Sequence, residues 1–570
     1  MDQSTRTIAY FSMEIGFDPA IATYSGGLGI LAGDTLKAGA DLKAPMIGIT
    51  LISEKGYFTQ TLKADDGSQI EEPNEWNKSM LKLLPARVTV PVQGRDVIVQ
   101  AWEYDLTGIT GFQIPILLLD TDVPENNEQD RSITASLYGG DQRYRLMQEA
   151  VLGIGGVRML KALGYTGIAR YHMNEGHAAL LALELLKEHA ATANCSLDDF
   201  EHCKETSIAV VRKFCVFTTH TPVAAGHDKF PYDLVREIIG DFVPLSTIQK
   251  LGGQESLNMT LLALNLSHYV NSVARKHQDV SQHLFPGYHF SFITNGVHSA
   301  TWTCPEIAKV YDHYLPGWHF DSFELRHAIN IPKHELWEAH LKAKQRLIDH
   351  INKEFNAGFE LDAFTIGFAR RATAYKRADL IFYDIKRLRE IGKKRKLQIV
   401  FGGKAHPRDT QGKELIKKIR WHAGELADSV KVIYLPNYDF NLAKILIPGV
   451  DLWLNTPARP QEASGTSGMK AAHNGVPSFS VMDGWWIEGH NEGVTGWSIG
   501  PMPTEQNENS NDDGSDAEEL YDKLEHIILP LFYDRNEDYR FVMRNSIAFN
   551  ASFFNTHRMV QQYALKAYLR

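Results

Sequence analysis

Short apolar runs rich in β-branched and aromatic residues recur along this chain, each ending at small or polar residues, and that recurrence is what most narrows the folds open to it. The runs are IAYFSME (8–14), MIGITLI (46–52), IPILLLDTD (114–122), KFCVFTTH (213–220) and FSFITNG (290–296). FTIGFARR (364–371), LQIVFGGK (397–404), VKVIYLPNYD (430–439), VDLWLNTP (450–457) and VPSFSV (476–481) continue the series. Between them, residues 146–163, 177–189, 334–354 and 376–393 have the 3.6-residue periodicity of amphipathic helices. Near-continuous apolar strands alternating with helices predict parallel sheets covered on both faces, an α/β doubly wound class. His220, Asn295, Arg370, Arg371, Lys404 and Asn437 gather where the runs end. Open α/β sheets bind ligands beyond the carboxyl ends of their strands, so these tips nominate one cleft between two halves.

LPGW (315–318) and a polar, helix-rich stretch interrupt the strand rhythm. We therefore expect an N-terminal Rossmann-like domain over 1–310 and a second over 311–535, with a helix over 536–570 packing back on the first. Residues 504–519, acidic and without large apolar side chains, are expected to form a mobile surface loop.

Composition narrows the function classes. A net charge of −10 over 570 residues offers nothing chain-wide to attract a nucleic acid. Four cysteines without a CxxC pair make neither a disulfide framework nor a zinc motif, which points to a reducing cytoplasm. The first residues lack the basic-then-apolar pattern of a secretory signal, and no apolar window is long enough for a membrane helix. The expectation is a soluble cytoplasmic protein.

The most informative stretch is Glu462-Ala-Ser-Gly-Thr-Ser-Gly-Met-Lys470-Ala-Ala-His-Asn474-Gly, directly after the DLWLNTP run. Its small residues free backbone N–H groups for an anion or a sugar, and a desolvated lysine there is suited to Schiff-base formation. Taken alone, Lys470 reads as a surface ion-pair partner. The stretch resembles the pyridoxal-phosphate signature of glycogen and starch phosphorylases, with His473 departing from the usual Leu or Met. The resemblance implies Lys470 as the lysine that carries pyridoxal 5'-phosphate, with Thr466 beside the cofactor. At 473 we expect altered packing rather than lost function.

The likeness covers most of the chain. Ser25-Gly26-Gly27-Leu28-Gly29-Ile30-Leu31-Ala32-Gly33-Asp34 is similar to the family's glycine-rich loop, implying Gly27 at the cofactor side and Leu28 at the substrate. Arg370-Arg371-Ala-Thr-Ala-Tyr375-Lys376-Arg377 is similar to its basic cluster, although the family has Lys at 370. Arg371 and Lys376 would then hold inorganic phosphate and Arg370 the cofactor phosphate. Phe217-Thr-Thr-His220 resembles the strand-end His at the reacting sugar, Thr294-Asn295-Gly296 the sugar-binding Asn, and Asn437-Tyr438 the Asn-Tyr at the cofactor phosphate. Asp439 stands where longer members have Arg. His172-Met-Asn-Glu175-Gly-His177 has no zinc-helix spacing; it reads as a polar loop opening a helix, with His177 near the sugar. No metal is expected. Glu462, Ser464, Gly465 and Asn295 would grip glucose hydroxyls, and Trp485 and Trp486 read as core.

The resemblance, to the compact bacterial-type branch, implies a glycosyltransferase-B type fold and a retaining α-glucan phosphorylase. Such an enzyme takes terminal α-1,4-linked glucose from glycogen, starch or maltodextrin with inorganic phosphate and gives α-D-glucose 1-phosphate. A homodimer is the family analogy. The chief rival is a nucleotide-sugar glucosyltransferase of the glycogen synthase type, which carries a second Glu eight residues after the first; Lys470 stands there. A silent glucan-binding regulator or an aminotransferase would leave the basic cluster idle.

Overall fold

The computed structural model describes residues 5–504 and 511–569. The first sheet has nine strands: β1 (Ile8–Phe11), β2 (Met46–Leu51), β3 (Lys82–Val92), β4 (Arg95–Thr107), β5 (Gln113–Asp120), β6 (Arg170–Asn174), β7 (Cys215–Thr218), β8 (Tyr269–Ser272) and β9 (Ser291–Phe292). Their spatial order is β9-β8-β7-β6-β1-β2-β5-β4-β3. The second sheet has six: β10 (Phe364–Ala369), β11 (Leu397–Gly402), β12 (Val430–Leu435), β13 (Leu452–Asn455), β14 (Ser478–Val481) and β15 (Gly496–Ile499). Its order is β12-β11-β10-β13-β14-β15 and every pair is parallel. That is the 3-2-1-4-5-6 winding of a doubly wound domain, reversing between its first and fourth strands.

Five helices position the features discussed below: α1 (Gly27–Asp41), α2 (Lys333–Phe355), α3 (Ser467–Ala472), α4 (Asp513–Lys523) and α5 (Thr556–Tyr563). α1 lies close enough to the chain after β1 that a Cβ on Gly33 would come within 2.0 Å of the Gly16 carbonyl oxygen, so only glycine fits. α2 anchors the second sheet through a fully buried charge cluster. Lys344 Nζ sits 2.6 Å and His340 Nε2 2.9 Å from the two oxygens of Asp451. Met559 and Tyr563 of α5, with Tyr568 just beyond, pack among Tyr10, Ile116 and Val216 of the first sheet. Among the described residues no helix is long and apolar enough to cross a membrane.

The apolar runs all contain strands, but four expectations need correcting. The run at 114–122 pairs parallel with β2 yet antiparallel with β4, because β3 and β4 form a long hairpin on that edge. Its turn, Gln93-Gly94, has φ of 52° and 73°, the left-handed pair that suits a tight hairpin. Residues 170–174 are a central strand rather than a loop. The polar side chains of His172 and Asn174 are buried and bonded, to Tyr568 and Thr218 and to Ser12. The helix expected over 376–393 occupies only Ile385–Lys394, since Arg377 at φ 45° ends a tight turn over Ala374–Lys376. Of the acidic stretch, 505–510 lies outside the described residues. From Asp513 it is helical, with Asp512 accepting from the N–H groups of Gly514 and Ser515 and acidic residues in the favourable first turn. Residue 310 falls within the helix Pro305–Tyr314.

Candidate active site

The second sheet reverses between β10 and β13, and the chain leaving each strand meets there. Arg370 follows β10; Lys376 sits in the tight turn after it; Glu462 arrives from β13. Arg370 and Lys376 both donate to Oε2 of Glu462, the lysine at 2.5 Å. Burial works against the charge on Glu462, but Arg370 and then Lys376 hold its pKa down at about 2. The Glu462 N–H donates to Asp483 Oδ2 at 2.9 Å and the Gly484 N–H to Oδ1 at 2.9 Å. Burial, and secondarily the Glu462 charge, push Asp483 up to about 7. Trp485 N–H donates to the Ser464 carbonyl at 2.8 Å, pinning the 462–465 loop. Ser464, Gly465 and Ser467 line the same crevice as Arg370 and Glu462.

Arg371 turns to the first sheet. It makes no hydrogen bond or ion pair among the described residues and stays exposed, yet it is hemmed in by the cleft walls. Burial opposes its charge, while Tyr375, Tyr57 and Glu14 favour it and raise its pKa. Glu14 leaves β1 at the first sheet's own reversal, between β1 and β6. Its Oε2 accepts from Ser25 N–H at 2.5 Å and Gly26 N–H at 3.3 Å, and its Oε1 from Tyr138 at 2.9 Å. No side chain caps α1, and nothing lies within 4 Å of a Cβ built on Gly26 or Gly27. Ser25 and Gly26 thus spend their amides on Glu14, and Gly27, at the positive end of a 15-residue helix, keeps open space around its Cα.

Lys470 lies on α3, three residues beyond that crevice. Thr466 precedes α3 without a side-chain cap and accepts the Lys470 N–H on its carbonyl at 3.1 Å. The Lys470 amine lies 3.8 Å from the ring centre of Trp302, where Asp34 and Lys37 of α1 act on its charge. It makes no hydrogen bond or ion pair among the described residues, and burial, opposed by Asp34, lowers its pKa to about 8. Trp302 Nε1–H donates to Asp34 Oδ2 at 2.7 Å, leaving the fully buried Oδ1 of Asp34 without a partner. His473 bonds Ser299 Oγ at 2.9 Å through Nε2 and the Met469 carbonyl at 2.8 Å, which ties α3 to the chain before Trp302.

Tyr438 is half-buried where Arg370 acts on its charge; desolvation is the main reason its pKa rises. Asp439 caps the following helix by accepting from Leu442 N–H at 2.8 Å. His220 is committed to its own half, with Nε2 2.7 Å from Asn174 Oδ1 and its N–H donating to Glu175 at 2.7 Å. Burial first, then Arg145, lowers His177 to about 3; its Nδ1 is buried without a partner. The Oδ1 of Asn295 is likewise buried and unpaired. Lys404 and Asn437 serve as latches across the cleft rather than as free groups: Lys404 donates to the Phe58 carbonyl at 2.7 Å, and Asn437 exchanges hydrogen bonds of 2.9 and 3.1 Å with Gln60. Trp485 and Trp486 are buried core.

The structure therefore joins Arg370, Lys376, Glu462, Ser464 and Gly465 in one crevice, and brings Arg371 to the glycine-rich loop and its Glu14. Lys470 lies against Trp302. Glu14, Asp34, Tyr57, Tyr138, Trp302 and Asp483 were not singled out from sequence as site residues.

The family model for carbohydrate phosphorylases matches residues 240–550. This chain belongs to the carbohydrate phosphorylase family. Among relatives of this phosphorylase-family chain, maltodextrin phosphorylase from Thermococcus litoralis is 40% identical, over 98% of this chain and 70% of its own length. Glycogen phosphorylase from Aquifex aeolicus is 34% identical, over 100% of this chain and 87% of its own length. An uncharacterized protein of Methanocaldococcus jannaschii is 30% identical over 98% of this chain and 99% of its own. In the phosphorylase fold seen here, both sheets turn their reversal points towards the same cleft, and the cations of one half face the helix start of the other.

Proposed function

We propose that this chain is an α-glucan phosphorylase that carries out retaining phosphorolysis of terminal α-1,4-linked glucose in glycogen, starch or maltodextrin and releases α-D-glucose 1-phosphate. The observation that carries this reading is the Lys470 amine, buried, unpartnered and lowered to about 8 beside an aromatic ring. A buried lysine without any acceptor is costly unless something else engages it. Pyridoxal 5'-phosphate fits that demand: an aldehyde for the amine, the ring beside Trp302, and a phosphate for Arg370, Tyr438 and the helix start at Gly27. When bound, the cofactor supplies a phosphate acid–base group next to the substrate phosphate.

The chain's own residues do the rest. Arg371, the exposed cation without a hydrogen-bond partner, receives inorganic phosphate together with Lys376, and Arg370 neutralises the cofactor phosphate. Two neighbouring phosphates repel strongly in a dry cleft, so this density of cations is what makes their approach affordable. Glu462, Ser464 and Gly465 hold glucose hydroxyls from one wall; Asn295 and His177, each with an unpaired buried atom, and Leu28 do so from the other. His220, fixed by Asn174 and Glu175, presents its backbone to the reacting sugar. In the same reading the protein is cytoplasmic and homodimeric. Its domains span 1–310 and 311–535, and the 536–570 segment returns to the first.

The test is direct. Purified protein should show near-ultraviolet cofactor absorbance, and borohydride should fix a pyridoxyl group on Lys470. Lys470→Ala should lose both, along with phosphate-dependent glucose 1-phosphate release. A colourless wild type that transfers glucose from a nucleotide sugar would overturn the reading.

A further inference from the structure

Away from the cleft, three side chains from distant segments converge: Asp41 at the end of α1, His298 after β9 and His557 at the start of α5. His298 Nε2 lies 2.7 Å and His557 Nε2 3.0 Å from one oxygen, Asp41 Oδ2, although Asp41 and His557 are 516 positions apart in the chain. All three ligand atoms lie within 4.8 Å of one another, and among the described residues no other trio of His, Cys, Asp or Glu converges this way. The side chains of Asp41, His298 and His557 are only 6%, 9% and 5% exposed.

The outward atom of each group is also held. His298 Nδ1 bonds Thr301 Oγ1 at 2.7 Å, His557 Nδ1 bonds Ser322 Oγ at 3.3 Å, and Ile109 N–H donates to Asp41 Oδ1 at 2.7 Å. An imidazole whose Nδ1–H is taken by a hydroxyl presents the Nε2 lone pair inwards, as metal-ligating histidines do. Burial lowers the His298 pKa, opposed by Asp41. Asp34 and Lys37, earlier on α1, act on His298 with opposite signs. Without an ion, two N–H donors crowd one oxygen. With zinc–ligand bonds of about 2.0–2.2 Å, tetrahedral ligands stand roughly 3.3–3.6 Å apart. The present 2.7 and 3.0 Å separations therefore need to open by about 0.3–0.9 Å.

We propose that Asp41, His298 and His557 bind one zinc-class divalent transition-metal ion, which staples the end of α1 and the 294–302 segment to the C-terminal helix. Two imidazoles and a carboxylate favour zinc, cobalt or nickel over magnesium or calcium, and leave a fourth position for water.

Full-length protein should be stripped with a chelator, dialysed against zinc and analysed by atomic emission. About one zinc per chain is expected, with a rise in Tm of about 2 °C or more that magnesium does not reproduce. Cobalt(II) in place of zinc should give visible ligand-field bands distinct from the aquo ion. His298→Gln and His557→Gln, each checked for folding by circular dichroism, should bind zinc at least about tenfold more weakly and lose the Tm rise. Wild type that takes up no more zinc than these variants, or whose Tm zinc leaves unchanged, would show a hydrogen-bonded trio only and end the proposal. If neither variant folds, the cobalt spectrum of wild type decides: aquo-ion bands overturn the site and imidazole-ligated bands uphold it.

Discussion

Lys470 and Arg371 carry the strongest predictions because each is a cation that the protein leaves without a partner. Burial lowers Lys470 to about 8, so the neutral, nucleophilic amine grows as pH rises through that value. Cofactor-free protein should therefore capture pyridoxal phosphate faster with rising pH, with a half-point near 8 in a stopped-flow absorbance titration. An unshifted half-point near 10 would mean that the amine is solvated. Arg371→Ala removes no hydrogen bond or ion pair, so Tm should hold within about 1 °C. KM for phosphate should rise about 10- to 100-fold, the worth of one charge-assisted hydrogen bond, as read from initial rates. The pattern around Lys470 was legible because a short glycine-rich stretch keeps its chemistry local. Trp302, Asp34 and Glu14 were not, since nothing in their neighbourhood says that they face a lysine or a glycine loop from another segment. Only the packing of α1 between the halves brings them there.

Strands were legible as apolar runs, because a strand buried on both faces shows itself by composition alone. The hairpin β3–β4 was missed because one face is wet and its sequence alternates, and β6 because its buried polar side chains find their partners on other segments. α4 was misread from its acidity. Its carboxylates are not idle: Asp516 accepts from Arg377 at 2.7 Å and Arg459 at 2.9 Å while almost wholly buried. Asp516→Ala would remove the buried carboxylate that Arg377 and Arg459 share, leaving Arg377 with Asp513 and two backbone carbonyls, and should cost about 3 kcal/mol, visible as a lower urea midpoint. A loss under about 1 kcal/mol would mean that water enters to replace the carboxylate.

Many specific bonds join the two halves of the molecule. The paired hydrogen bonds of Gln60 with Asn437 join the 59–72 hairpin to the second sheet, helped by Gln69 Nε2–H to the Ala405 carbonyl at 2.9 Å. Asn437→Ala should speed amide exchange in residues 57–72, measured by mass spectrometry, while exchange in β10 and β11 stays as slow as before. Uniform acceleration would place that residue in the core of the second half instead of at a latch between the halves.

α5 closes the first sheet with residues that lie roughly 260 positions after its last strand. Gly296 permits this return: a Cβ there would come within 2.3 Å of the Asn555 backbone, where Val297 N–H donates to the Phe554 carbonyl at 3.1 Å. On a ribosome, β1 through β9 emerge on the order of tens of seconds before Tyr563 and Tyr568 exist to cover them. Through that interval the nascent first half keeps an apolar face that only its own unfinished chain can cover, which makes the pace of translation part of how this enzyme is built.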